Sequence, residues 1–285
     1  MKPFILLLCS FLILVAAHAQ KLYVKAGLGY GFPQAGQTMD GAGNLYSGSV
    51  SQVVTTAFSS AEYKMNKVSF SAGLQAILGA GAMLNKNIGV ELDAVTVVAG
   101  KKIAYTTDAT YDAGGYDKRN VSQQSKMPVF LCPALVLQTG DKLKLYARGG
   151  LAIPVKNKIV IDASIESRES LPNAPINYVT INQEITTRMA IGFAGAMGVK
   201  YKLNKMLSVW AEAGLLSISL YTKTGTLTKY EVNNKDRLVE LPDDQKTTKF
   251  ELKNSTNDPA NSNVVPAYSI PFSNFNITAG LALEL

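Results

Sequence analysis

Six charged residues are spaced so that they could act on one another: Lys25, Glu91, Asp93, Arg148, Lys200 and Glu212. Each lies in a segment that alternates between two kinds of side chain. Lys25 shares its parity with Gly27, Gly29 and Gly31, and Lys200 with Ala194, Ala196 and Gly198. Glu212 falls in step with Ser208 and Gly214, and Glu91 is two residues from Asp93. Residues two apart on a strand point to the same face. The charges therefore lie on faces otherwise made of small side chains. In a confined interior they must pair, because an unpaired buried charge is costly. Lys200 or Arg148 is expected to meet Glu91, Asp93 or Glu212, and reversing both charges of a pair should partly restore a broken one. The chemistry is that of a structural ion network. A gated pore plugged by the same network is the functional alternative.

Other chemistry has little to work with. Acyl transfer and peptide hydrolysis commonly use histidine as general base. The only histidine, His18, lies in an expected leader. Serines are plentiful but have no neutral-pKa base to activate them. Cys132 sits inside the apolar run Val129–Leu137, where a thiol behaves as a small packed residue. No catalytic residue is assigned. Asp108, Asp112 and Asp117 cluster near Gly114 and Gly115, but the spacing is not that of a calcium loop and no closing glutamate follows. Asp40 and Asn44 around Gly41-Ala42-Gly43 carry still less. No metal or cofactor is assigned.

The elements that must hold the six charges are strands. In Met189–Leu203, the residues Met189, Ile191, Phe193, Met197, Val199, Tyr201 and Leu203 are apolar on one parity. Arg188, Ala190, Gly192, Ala194, Ala196, Gly198, Lys200 and Lys202 fill the other. After Asn204-Lys205 the alternation resumes through Leu207, Val209, Ala211, Ala213 and Leu215. Two alternating strands joined by a tight turn make a hairpin. The small, charged face is too cramped and polar for a core, and the greasy face too continuous for water. A barrel in lipid, apolar outside and polar within, resolves the conflict.

The same pattern recurs at Lys21–Phe32, Val68–Leu84, Ile88–Ala94, Met127–Gln138, Leu143–Val155 and Asn274–Leu285, giving eight strands with the hairpin at 189–215. With the strand from Ile88 running on toward the connection at 105, each is long enough to cross a bilayer at a tilt, which takes about 9–11 residues. MLNKNIGVELDA and KLNKMLSVWAEA repeat one turn device, and Thr139-Gly140-Asp141 makes a degenerate third copy. Between these short turns lie long connections at about 33–67, 105–126, 156–187 and 222–273, read as loops. Within the last, Thr224–Tyr230 and Lys246–Leu252 alternate weakly, and Leu238–Pro242 could form a hairpin tip. Trp210 breaks the small-residue rule near a turn and is read as a membrane-interface aromatic. Beyond Leu215 the apolar parity passes to Leu216, Ile218 and Leu220, which is read as a β-bulge.

The first residues add a compartment. Lys2 precedes the apolar run Phe4–Val15, and Ala17-His18-Ala19 is an A-x-A site. This is expected to be a secretory signal peptide over residues 1–19, with the mature chain, residues 20–285, beginning at Gln20. Its removal takes His18 and Cys9, leaves Cys132 as a lone thiol, and lowers the formal charge from +7 to +6 with Lys2 gone. An exported, mildly basic chain can meet anionic lipid head groups but has no nucleic acid as partner, and its charge is read as solubility of the exposed loops.

With these features the chain resembles the small eight-stranded outer-membrane β-barrels of Gram-negative bacteria. The resemblance rests on the leader, the strand count, the Leu-Asn-Lys turns, the long opposite connections and the terminal strand. One departure is the last residue, Leu285, where many such barrels end on Phe. It implies an all-β, eight-stranded antiparallel up-and-down transmembrane barrel in the outer membrane, monomeric, with short periplasmic turns and long extracellular loops. It implies no enzyme activity, and a structural or surface-interaction role through the loops. A small passive channel or an accessory barrel of an export system is the alternative, and a secreted sandwich or lipocalin-like carrier is the rival fold.

Overall fold

The computed structural model describes residues 21–34, 38–41, 44–47, 49–55, 60–66, 69–110, 114–252 and 264–285. The expected leader lies outside them. Eight strands form a closed barrel: β1 Lys21–Pro33, β2 Gly73–Met83, β3 Ile88–Val98, β4 Val129–Thr139, β5 Leu143–Lys156, β6 Gly192–Lys202, β7 Leu207–Ser217 and β8 Asn274–Glu284. Each pairs antiparallel with its neighbours in sequence, and β8 closes the ring on β1. Closure removes every edge from the lipid-facing part, which a spanning sheet requires. Residues 69–72, expected inside the second strand, precede it instead, and Phe70 folds over the lumen fully buried.

The alternation sets the polarity. Leu28 is 72% exposed, Leu78 66% and Met197 72%, while Asp93 is fully buried and Glu212 is 3% exposed. Apolar side chains outside and ionic ones inside is the arrangement of a barrel in lipid, not of a soluble sandwich. Tyr30, Phe32, Phe193 and Phe275 are also exposed, at the ends of β1, β6 and β8 remote from the short turns. They form part of an aromatic girdle at one lipid boundary.

The repeated Leu-Asn-Lys device has a physical basis. Asn85 Oδ1 accepts from the backbone N–H of Asn87 and of Ile88, both at 2.8 Å. Asn204 Oδ1 accepts from Met206 at 2.9 Å and Leu207 at 2.8 Å. In both turns the preceding leucine N–H donates to the carbonyl four residues on, at 2.9 Å. The asparagine side chain thus satisfies the turn's inward N–H groups. In the third turn Gly140 adopts φ +95°, where a Cβ would meet the Leu143 carbonyl.

The connections read as loops carry strands. An open sheet runs Val264–Pro266, Thr247–Glu251, Ser219–Val232, Ile176–Thr187, Lys158–Arg168, Tyr116–Ser125, Lys102–Thr110, Ser49–Thr55, Ser60–Asn66. Its five central strands prolong β7, β6, β5, β4 and β3 in the barrel's own order. The sheet is a wall that continues the cylinder beyond the lipid. Thr224–Thr226 pair with Thr247–Lys249, and Leu238–Glu240 form a 3₁₀ turn followed by the short helix Asp243–Lys246. The wall escaped the period-2 reading because both faces mix polar and apolar residues. Two of its pairings, Ser49–Thr55 with Lys102–Thr110 and Thr247–Glu251 with Val264–Pro266, are parallel, so no hairpin turn announces them.

The expected bulge after Leu215 is absent. Register runs unbroken from Lys202↔Ser208 to Phe193↔Ser217. Ser208, Trp210, Glu212, Gly214, Leu216, Ile218, Leu220 and Thr222 are all buried, on one parity. Through Thr222 the side facing the lumen does not flip, and the register shifts only beyond it, where Thr187↔Thr222 gives way to Thr186↔Thr224. The chemistry of that side changes instead, from ionic at mid-barrel to apolar near the wall.

Candidate functional site

The lumen contains the concentrated polar chemistry of the barrel. Glycines make room for it. A Cβ on Gly79 would overlap Asp93 Oδ1 and lie 2.9 Å from Lys25 Cε. At mid-barrel β1 supplies Lys25, β3 supplies Glu91 and Asp93, β5 supplies Tyr146 and Arg148, and β7 supplies Glu212. Lys25 Nζ lies 2.7 Å from Glu91 Oε1 and 3.0 Å from Asp93 Oδ2. Arg148 meets Asp93 at 2.8 Å, Glu212 at 2.6 Å and Glu91 at 3.8 Å. Tyr23 donates to Glu91 at 2.8 Å, and Tyr146 and Thr278 donate to Glu212 at 2.9 and 3.2 Å.

Five of the six residues singled out from the sequence thus share one network. Two cations serve three carboxylates. Asp93 is held by its two ion pairs and, unlike Glu91 and Glu212, accepts from no hydroxyl. Lys200 stands apart. Its Nζ lies 4.5 Å from the centre of the Tyr23 ring and 3.9 Å from Glu284. Around Glu284, at the short-turn end, Lys21, Lys144 and Lys202 also converge at 3.8, 3.9 and 3.3 Å. The sequence reading missed Tyr23, Tyr146 and Thr278, although all three lie on the small-residue parity, where a large or hydroxylated side chain is itself a signal.

Trp210 is a correction. It is 4% exposed, inside the lumen, with Lys25 Nζ 5.1 Å from its ring centre. Its Nε1 donates to the Leu281 carbonyl at 3.1 Å. Its parity with Glu212 therefore reports its position faithfully, and the girdle is made by Tyr30, Phe32, Phe193 and Phe275 instead. Opposite Trp210, a Cβ on Gly27 would lie 2.6 Å from Cη2.

Above the ionic layer sits an apolar stopper. Phe70 and Phe130 flank Phe272 at centroid distances of 5.8 and 5.9 Å, packed with Cys132, Ile159, Ile185, Leu216, Ile218, Leu220 and Ile270. Cys132 is 1% exposed, a packed lumen residue. Two cavities within the lumen, one beside Lys25 and Trp210 and one beside Arg148 and Cys132, each measure about 20 Å³. Each has room for about one water, whose centre needs roughly 10–15 Å³. Side chains fill an eight-stranded interior, and here they do so in two layers of opposite character.

Asp112 lies outside the described residues. Asp117 is engaged by Arg119, whose Nε and Nη2 donate to it at 2.8 and 2.6 Å. Among the described residues no group of acidic, histidine or cysteine side chains is arranged to hold a metal ion.

No family model matches the sequence, and no curated protein matches it significantly. Among solved structures the chain is similar to the outer membrane protein OprG of Pseudomonas aeruginosa. Identity is 12%, coverage 94% of this chain and 97% of that one, and the TM-score 0.42. It is also similar to Ail, the attachment invasion locus protein of Yersinia pestis, at 8% identity, covering 93% of this chain and 98% of that one, with a TM-score of 0.31. Overlap at these scores adds nothing to what the chain's own pairing and polarity establish. By strand number, closure, antiparallel order and inverted polarity, the chain has the architecture of a small eight-stranded outer-membrane β-barrel.

Proposed function

We propose that the protein is a non-catalytic, monomeric barrel of the outer membrane that acts as a surface interaction protein through its extramembrane wall. The observation that carries this reading is the wall itself. Barrel strands β3 to β7 continue as paired strands far beyond what closing the barrel needs. Short turns close a barrel economically, so long ordered connections need another reason. Loops and extensions on a rigid scaffold are where binding residues concentrate. The filled lumen supports the same reading, because a passive channel needs an open path. The expected leader is consistent with export.

The register supplies a clean test. Ile161 pairs with Gln183. Replacing residues 162–182 by Asn-Gly would cap that rung with a two-residue turn and remove the upper part of the central hairpin. Cells carrying the shortened protein should keep a heat-modifiable barrel and unchanged permeability to small solutes, yet lose attachment to surfaces or other cells. If export or permeability changes while attachment persists, the accessory-barrel or channel reading takes its place.

A further inference from the structure

We propose that a lateral groove between β3, β4 and β5 binds one net-anionic phospholipid, acyl chain on the barrel and the uncompensated phosphate on lysines. The groove opens where wall and barrel meet. The chain kinks there, with Met127 at φ +44°, and the β4–β5 register shifts at Val129/Phe130. The resulting space is about 630 Å³. Its lower wall is apolar and outward-facing: Val98 is 57% exposed, Met127 56% and Val155 41%. These residues lie at the wall ends of their strands, level with the girdle. The girdle aromatics Tyr30, Phe32, Phe193 and Phe275 belong to β1, β6 and β8, so the groove occupies the side they leave open.

Lys126, Lys156 and Lys158 are exposed around the same groove. Lys158 is paired with Glu184 at 2.6 Å. Lys126 Nζ donates to the neutral Gln124 at 3.2 Å. Among the described residues no carboxylate lies within ion-pair distance of Lys126 or Lys156. Two uncompensated ammonium groups thus sit just above an apolar surface continuous with the lipid-facing barrel. A soluble anion would use the lysines alone, and an uncharged lipid the apolar floor alone. An anionic lipid uses both, which decides the occupant.

The inference rests on the membrane placement proposed above, and the experiment separates the two. The full-length protein is reconstituted in detergent micelles doped with phosphatidic acid or with phosphatidylcholine, and bound lipid is read by native mass spectrometry. Heat-modifiability is measured on every sample, so loss of the barrel is seen independently. One retained phosphatidic acid is expected, in preference to phosphatidylcholine. In K126Q/K156Q retention should fall about tenfold or more, since both charges facing the phosphate are removed. K223Q/K235Q, elsewhere on the wall, should leave it unchanged. V98S/V155S should weaken it without altering the headgroup preference. Equal retention of the two lipids, or no effect of K126Q/K156Q in an intact barrel, would overturn the proposal. So would displacement of the lipid by inorganic phosphate alone.

Discussion

Arg148 on β5 reaches past β6 to Glu212 on β7, with Nη2 2.6 Å from Oε1 and Nε 3.1 Å from Oε2. The strand between offers only Ala196 and Gly198 at that level, and a Cβ on Gly198 would lie 2.7 Å from the Glu212 Cβ. The pair is therefore made by what β6 lacks as much as by what its neighbours carry. Bidentate and buried, it is one of the stronger and more directional contacts in the lumen.

Breaking this pair should be expensive. Glu212→Ala leaves Arg148 with Asp93 and Glu91 only, and strips Tyr146 and Thr278 of their acceptor. A loss of about 3–5 kcal/mol is expected, the usual cost of orphaning one partner of a buried pair. Urea unfolding in detergent micelles, followed by the heat-modifiable band, measures it. The simple expectation that reversing both charges restores the pair does not survive the geometry. Arg148→Glu would face Asp93 at the position where Arg148 now lies 2.8 Å away, so R148E/E212R should be no more stable than E212A.

Asp93 should behave differently. It is the third carboxylate for two cations and has no hydroxyl donor, whereas Glu212 has two. Asp93→Asn should therefore cost clearly less than Glu212→Gln in the same assay. Equal costs would show that Asp93 is an ordinary member of the network.

Gly79→Ala tests the space that admits the network. The added methyl would overlap Asp93 Oδ1, and overpacking of this kind costs about 1–3 kcal/mol. Gly149→Ala, whose nearest neighbour would be Phe193 at 3.9 Å, should be tolerated.

Much of the barrel was legible because lipid imposes a strict alternation. Leu28, Leu78 and Met197 could not face water in so continuous a stripe, and Lys25, Glu91, Asp93 and Glu212 could not face lipid. Asn85 and Asn204 were legible as a repeated word before their hydrogen bonds explained it. The wall was not, because water tolerates either face of a strand such as Tyr116–Ser125, and nothing then enforces a period. Trp210 was misread for a related reason. Tryptophan is common at membrane interfaces, but its parity with Glu212 was the stronger signal. Leu216, Ile218 and Leu220 looked like a register slip because the lumen was assumed polar throughout, whereas its upper layer is an apolar stopper.

The lipid face makes a prediction that a soluble protein would contradict. Leu78 lies at mid-strand on β2, paired with Ala26 and Ala94, and is 66% exposed. Leu78→Arg should destabilise the barrel by about 2–4 kcal/mol in bilayers, the cost of a cation near the midplane. At an ordinary exposed site in water the same change would fall within about ±0.5 kcal/mol.

The sole tryptophan gives the most direct test of the inverted polarity on which all of this rests. The protein is reconstituted in vesicles whose acyl chains carry bromine near the bilayer centre, and tryptophan fluorescence is compared with that in unbrominated vesicles. Trp210, inside the lumen, should be quenched weakly. The variant W210F/L78W should be quenched strongly, because its indole would face the chains directly. Strong quenching of the native protein together with weak quenching of W210F/L78W would mean that the two faces are assigned the wrong way round.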